Sequence, residues 1–204
     1  MLGIRLALTA FILSLGTASA GAETIVSKSY SYYPVGGQTA AKLEEELWRG
    51  GPELEETGNR HPGATRIRIN RVISFEQSGN RCAVGDVTVK LDTRLTLPRW
   101  TDSSGAERKA HLVWRTLSSD IKRHEERHAE IARQWSRKLE TALRNLRPEA
   151  DCVRMQAKVE STSKSILEKH AADHERFDRV EAASFERRIG RILRYKAKQM
   201  ETGG

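Results

Sequence analysis

Residues 110–146 read "AHLVWRTLSSDIKRHEERHAEIARQWSRKLETALRNL". This stretch decides the fold. It holds no Pro and no Gly, and Trp114, Leu117, Ile121, Ile131, Trp135, Leu139, Leu143 and Leu146 recur at helical steps. That period predicts one long amphipathic helix. On its C-terminal side, "RPEADC" interrupts the pattern at Pro148. A second long helix is expected from about Cys152 towards Ala182, with Val159, Ile166, His170, His174 and Phe177 as its stripe. The tail "SFERRIGRILRYKAKQMETGG" predicts a third, basic amphipathic helix.

On the N-terminal side the period changes to that of strands. In "TRIRINRVISFEQ", Ile67, Ile69, Ile73 and Phe75 share one face while Arg66, Arg68 and Asn70 share the other. The turn "SGN" follows at Ser78–Asn80, then "RCAVGDVTVKLDTRLTLP" with Val87, Val89, Leu91, Leu95 and Leu97 in phase. Cys82 and Val84 fall out of that phase, which predicts a bulge at Gly85. Further upstream, "ETIVSKSYSYYPV" reads as a strand. "QTAAKLEEELWRGG" reads as a short helix with Ala40, Leu43, Leu47 and Trp48 on one face. "PELEETGNRHPGA" reads as a loop. The expected architecture is α+β: a small antiparallel sheet followed by a long helical hairpin.

Residues 1–22 are set apart from this domain. "MLGIRLALTAFILSLGTASAGA" carries Arg5, an apolar run from Leu6 to Leu15 and small residues at Ala18–Ala20. That is the pattern of a cleaved secretory signal, and the run is short for a membrane span. The mature chain is therefore expected to be secreted or periplasmic, without stable membrane insertion. Cys82 and Cys152 are the two cysteines of the chain, and in an exported protein an even count predicts a disulfide. It would close a loop of about 70 residues, contributing roughly 4 kcal/mol in the chain-entropy model. The formal charge of +8 is spread along the chain, and no nucleic-acid motif accompanies it. A nucleic-acid partner is not expected.

The apolar stripe of the long helix has a gap between Ile121 and Ile131, filled by His124 and His128. Imidazoles on an apolar seam need partners. Residues four apart lie one turn apart on the same helix face, so both rings can reach one divalent ion. Glu125 is rotated by about 100° around the axis. That suits a general base better than a ligand. His-Glu-x-x-His on a helix is the zinc-hydrolase signature. Two metal-free alternatives exist: an exposed, charged helix face, or core histidines bonded to carboxylates. A third ligand must come from elsewhere. On the second helix His170, His174, Asp178 and Glu181 fall within about 80° of one another. Asp178 is also a candidate for orienting a histidine rather than binding metal.

"HEERH" on a helix, strands ending in "LTLPRW", the cysteine of "ADC" and the late "RFDRVE" together resemble one bacterial family. It is a group of predicted secreted zinc-dependent proteases, catalogued as a domain of unknown function. The resemblance spans about Tyr30 to Glu181. Many members carry Asp-x-x-Thr-x-His-Gly after the second helix; here Asp178 matches the Asp, with Glu181, Ala183 and Ser184 at the Thr, His and Gly. A subgroup has the Glu, and Phe177–Glu181 matches it. The resemblance implies Zn²⁺ held by His124, His128 and Glu181, with His174 and Asp178 as other choices. It implies Glu125 as the base that activates water and a peptide or protein as substrate. Residues 23–184 would form a zincin-like protease domain and residues 185–204 a basic helical tail. By analogy with other zinc proteases, the strand ending in "LTLP" is expected to pair with an extended peptide. The competing functions are a non-catalytic metal-binding protein, an exported helical adaptor whose segment Arg187–Lys198 binds acidic partners, and a zinc amidase acting on the cell wall.

Overall fold

The computed structural model describes residues 23–53 and 58–202. The expected signal, residues 1–22, lies outside the described residues. The elements are β1 (Glu23–Val35), α1 (Ala40–Gly50), β2 (Ala64–Ser78), β3 (Arg81–Trp100), α2 (Arg108–Arg144) and α3 (Cys152–Thr202). Each forms where the pattern changes. Thr39 caps α1 by accepting from the Lys42 amide at 3.2 Å. Asp151 caps α3 by accepting from the Arg154 amide at 2.8 Å, just after Pro148 has ended α2.

The sheet has three strands in the order β1-β3-β2 and is mixed rather than antiparallel. β2 and β3 form the expected hairpin, but β1 runs parallel to β3, with Val35 opposite Trp100. The chain leaves β1 at the end of the sheet where β2 enters, since Ala64 pairs with Thr96. The slot between them is then filled by β3. Alternation along a strand reports which face is buried; it says nothing about neighbour or direction.

The bulge lies at Gly85. The register passes from Ile73 opposite Val87 to Phe75 opposite Val84, so β3 carries an extra residue there. A Cβ at Gly85 would sit 2.6 Å from Ser74 Oγ, and Ser74 accepts from the Asp86 amide at 2.8 Å. This switch of phase returns Cys82 to the buried side. One face of the sheet is covered by helices, and Lys90, Asp92 and Arg94 on the other face are exposed.

Two apolar clusters fasten α2 to the sheet. One joins Val35, Leu43, Leu47, Leu95 and Leu97 to Ala110, Ile121 and Ala129. The other joins Val87 and Val89 to Leu139, Leu143, Met155 and Val159, around Cys82. Cys82 is bonded to Cys152, and a bridge of paired 2.9 Å backbone hydrogen bonds ties Cys82 to Glu149 beside it. Trp48, expected on the buried face of α1, is 49% exposed.

The tail does not form a separate helix. α3 runs unbroken through 51 residues, because "AASFERR" offers neither Pro nor Gly to stop it and Gly190 alone is tolerated. Ile189 is buried, and Arg188 and Lys196 reach back to Asp120 and Thr116 of α2. Among the described residues no helix is long and apolar enough to cross a membrane. The disulfide is compatible with a protein outside the cytoplasm.

Candidate metal centre

α2 has two packed faces. Ile121, Glu125, Ala129, Ala132, Ser136, Leu139 and Leu143 are buried. His124, His128 and Trp135 look instead towards α3, where they meet Phe177, His174 and Asp173. The two imidazoles are therefore half-buried between helices, with side chains 28% and 13% exposed. The residue driven into the interior is the glutamate between them, 5% exposed.

The ring atoms converge. His124 Nε2 and His128 Nε2 lie 3.1 Å apart, as the spacing of four residues predicts. Asp178 Oδ1 stands 3.3 Å from the first and 3.0 Å from the second. The ligand atoms of His124, His128 and Asp178 all fall within 4.8 Å of one another, a spacing able to hold one ion. Glu181 points elsewhere. It is ion-paired with Arg123, and with Arg188 at 3.0 Å; His124 Nδ1 is 3.9 Å away. Arg188 also grips Asp120 through two hydrogen bonds, at 3.0 and 3.1 Å. Thus Asp178 joins the histidines, and Glu181 belongs to a four-charge network beside them.

His170 and His174 extend the cluster. His128 Nδ1 is 2.6 Å from His174 Nδ1, and His174 Nε2 is 2.8 Å from His170 Nε2. Asp173 is occupied: it accepts from Trp135 Nε1 at 3.0 Å and from Arg176 at 2.6 Å.

The electrostatics follow from this packing. Burial alone would raise the Asp178 carboxyl, but hydrogen bonds from His124 and His128 outweigh it and hold the group below the usual carboxylate range. Burial alone would lower His124, and the surrounding carboxylates, Asp178 foremost, reverse this and raise it. His174 falls to about 4, through burial and then the neighbouring His170 and His128. Burial raises Glu125, against the opposing pull of Thr65 and the two rings.

Thr65 was not singled out by sequence. Its hydroxyl lies 2.8 Å from Glu125 Oε2 and 3.0 Å from the Glu125 carbonyl oxygen. The available signal was its phase: it shares the inward face of β2 with Ile67 and Ile69. Gly63 precedes it, and a Cβ there would stand 2.7 Å from Ile121 Cγ2 and 2.8 Å from Glu125 Oε1. Glycine keeps the space that the glutamate fills.

Fold and site together define an α+β protein with a His-His-Asp cluster between two long helices. The model of a family of bacterial proteins of unknown function, DUF922, matches residues 30–185, and the chain belongs to that family. No curated protein and no solved structure matches it.

Proposed function

We propose that this chain is an exported zinc-dependent hydrolase, a peptidase that uses Glu125 as its base. The observation that carries the reading is the convergence of His124, His128 and Asp178 within 4.8 Å beside a buried glutamate. Two imidazoles and one carboxylate are a donor set that suits zinc with an open fourth position. Asp178 rather than Glu181 fills the carboxylate role, because Glu181 is already neutralised by Arg123 and Arg188. Asp178 is half-exposed, so the cluster is open to solvent on that side.

A bound zinc ion would supply Lewis acidity and bring the pKa of a bound water near neutrality. The protein's own part falls to Glu125 and its neighbours. The Glu125 carboxylate takes the proton of the attacking water and returns it to the departing amine nitrogen. Burial raises its pKa towards the range where that exchange is efficient. The Thr65 hydroxyl donates to Oε2 and fixes the plane of the carboxylate. Leu95 and Thr96 of the "LTLP" segment are paired on both sides, which argues against β3 as the strand that receives a peptide. The open edge of β2, which begins against Glu125 at Thr65, takes over that role in this reading.

The test is metal content and peptide hydrolysis of the purified chain. Wild type should retain about one zinc per chain and cleave a mixed peptide library, and the His124→Ala, His128→Ala double variant should do neither. Wild type that purifies and dialyses free of zinc would overturn the metal centre; zinc without cleavage would leave a metal-binding protein.

A further inference from the structure

A metal-holding imidazole usually gives its second ring nitrogen to a carboxylate or a backbone carbonyl, which fixes its tautomer and rotation. The carboxylates around His128 are engaged otherwise. Asp178 approaches Nε2, on the metal-facing side. Asp173 is held by Trp135 and Arg176. What meets His128 Nδ1 is another imidazole, that of His174, at 2.6 Å. The two ring planes are 19° apart with centroids 4.9 Å apart, so one nitrogen aims at the other nearly in plane. His174 in turn uses its other nitrogen on His170, at 2.8 Å.

The direction of this chain follows from proton counting. A neutral imidazole has one N–H and one lone pair. Once an ion is bound, Nε2 of His128 offers it a lone pair in place of the hydrogen bond to Asp178, so the ring's one proton sits on Nδ1. His174 Nδ1 is then the acceptor and carries no proton. The proton of His174 sits on Nε2 and is donated to His170 Nε2. His170 is left with its proton on Nδ1. Each step is forced by the one before, and the same assignment removes His174 Nε2 from any role as a ligand.

We infer that His174 is the positioning residue of the metal centre and that His170 fixes the tautomer of His174, so that three imidazoles form a directional relay from His128 outward along α3. The inference rests on the zinc reading and goes beyond it, by giving work to two histidines that touch neither ion nor substrate. His174→Phe keeps the flat ring but removes the acceptor. His174→Gln restores an acceptor oxygen on a flexible stem.

The experiment is zinc competition against a chromogenic chelator, paired with long-range ¹H–¹⁵N spectra of the zinc-loaded, disulfide-bonded chain. His174→Phe should weaken zinc binding by about 10–100-fold, the range found for partners that orient metal-binding histidines. His174→Gln should recover most of that loss. The wild-type spectrum, which needs no variant to fold, should show the proton of His128 on Nδ1 and that of His174 on Nε2. Unchanged affinity in His174→Phe, a proton on His174 Nδ1, or a metal-shifted nitrogen on His174 would each overturn the relay while leaving the zinc reading standing. Failure of the wild type to bind zinc would end both.

Discussion

The hydroxyl of Thr65 lies 2.8 Å from Glu125 Oε2, which couples the start of β2 to the glutamate of the His-Glu-x-x-His helix. A carboxylate that is 5% exposed needs such a donor, since an unpartnered polar group in the interior costs about 1–3 kcal/mol. Two substitutions separate its roles. Glu125→Gln should keep zinc and lose peptide hydrolysis by several orders of magnitude. Thr65→Val should keep zinc as well, but lower kcat by about tenfold while KM changes little. Zinc content and steady-state kinetics check both; full activity in Glu125→Gln removes it as the base.

Gly63 gives a steric version of the same test. A Cβ at that position meets Ile121 and Glu125 at 2.7 and 2.8 Å. Gly63→Ala should therefore displace the glutamate and depress activity, with the metal still bound. A variant with wild-type kcat would mean that the loop before β2 yields without moving Glu125.

Asp178 and Glu181 are one helical turn apart and have different partners: the two imidazoles for Asp178, Arg123 and Arg188 for Glu181. Asp178→Asn should weaken zinc at least tenfold. Glu181→Gln should leave zinc affinity within a few-fold of wild type. It should lower stability by about 1–2 kcal/mol, because Arg123 and Arg188 lose a partly buried partner. Chelator competition and denaturant melts distinguish them. The reverse ranking would restore Glu181 as the ligand.

Much of this was legible before any coordinates. The helical hairpin, the bulge at Gly85 and the convergence of α3 on His124 and His128 follow from periodicity, phase and spacing, and the pairing of Cys82 with Cys152 from an even cysteine count. What was not legible depends on contacts between elements. The direction of β1 is set by which slot the chain leaves open. That Asp178 approaches both rings while Glu181 is ion-paired depends on where Arg123 and Arg188 reach, and arginines occur all along this sequence. Sequence also placed both rings on the buried seam, whereas α2 turns them to α3 and buries Glu125 instead, because a helix lodged between a sheet and a second helix has two inner faces.

Acid should loosen the two helices from each other. Asp173 joins Trp135 of α2 to Arg176 of α3, and hydrogen bonds from Arg176 and Trp135 hold its carboxyl below the ordinary value. A depressed folded pKa stabilises above the unfolded value, about 3.9, and that contribution fades as pH falls through the folded value. Asp173→Asn should thus be less stable than wild type at pH 7, with the gap closing below about pH 4. A gap that persists unchanged at pH 3 would assign the loss to packing rather than charge.

Removing the disulfide should act on the whole fold. Cys82→Ser with Cys152→Ser releases a loop spanning a sequence separation of 70, for a loss of about 4 kcal/mol in the chain-entropy model. Thermal melts of the oxidised chain and the double variant measure it. A shift of only a degree or two would show that the bridge at Glu149 holds the same junction unaided.

The unbroken length of α3 gives these two anchors a further meaning. The helix is keyed at one end by Cys152 and clamped far along it by Arg188 on Asp120. Sliding or spinning this shaft would break the Arg188–Asp120 contact or strain the disulfide. A slip of one residue would advance it by about 1.5 Å and rotate it by about 100°, swinging His170, His174 and Asp178 away from their counterparts at once. The alignment of the His-His-Asp cluster is therefore a matter of where the shaft is bolted, at points that lie outside the cluster itself.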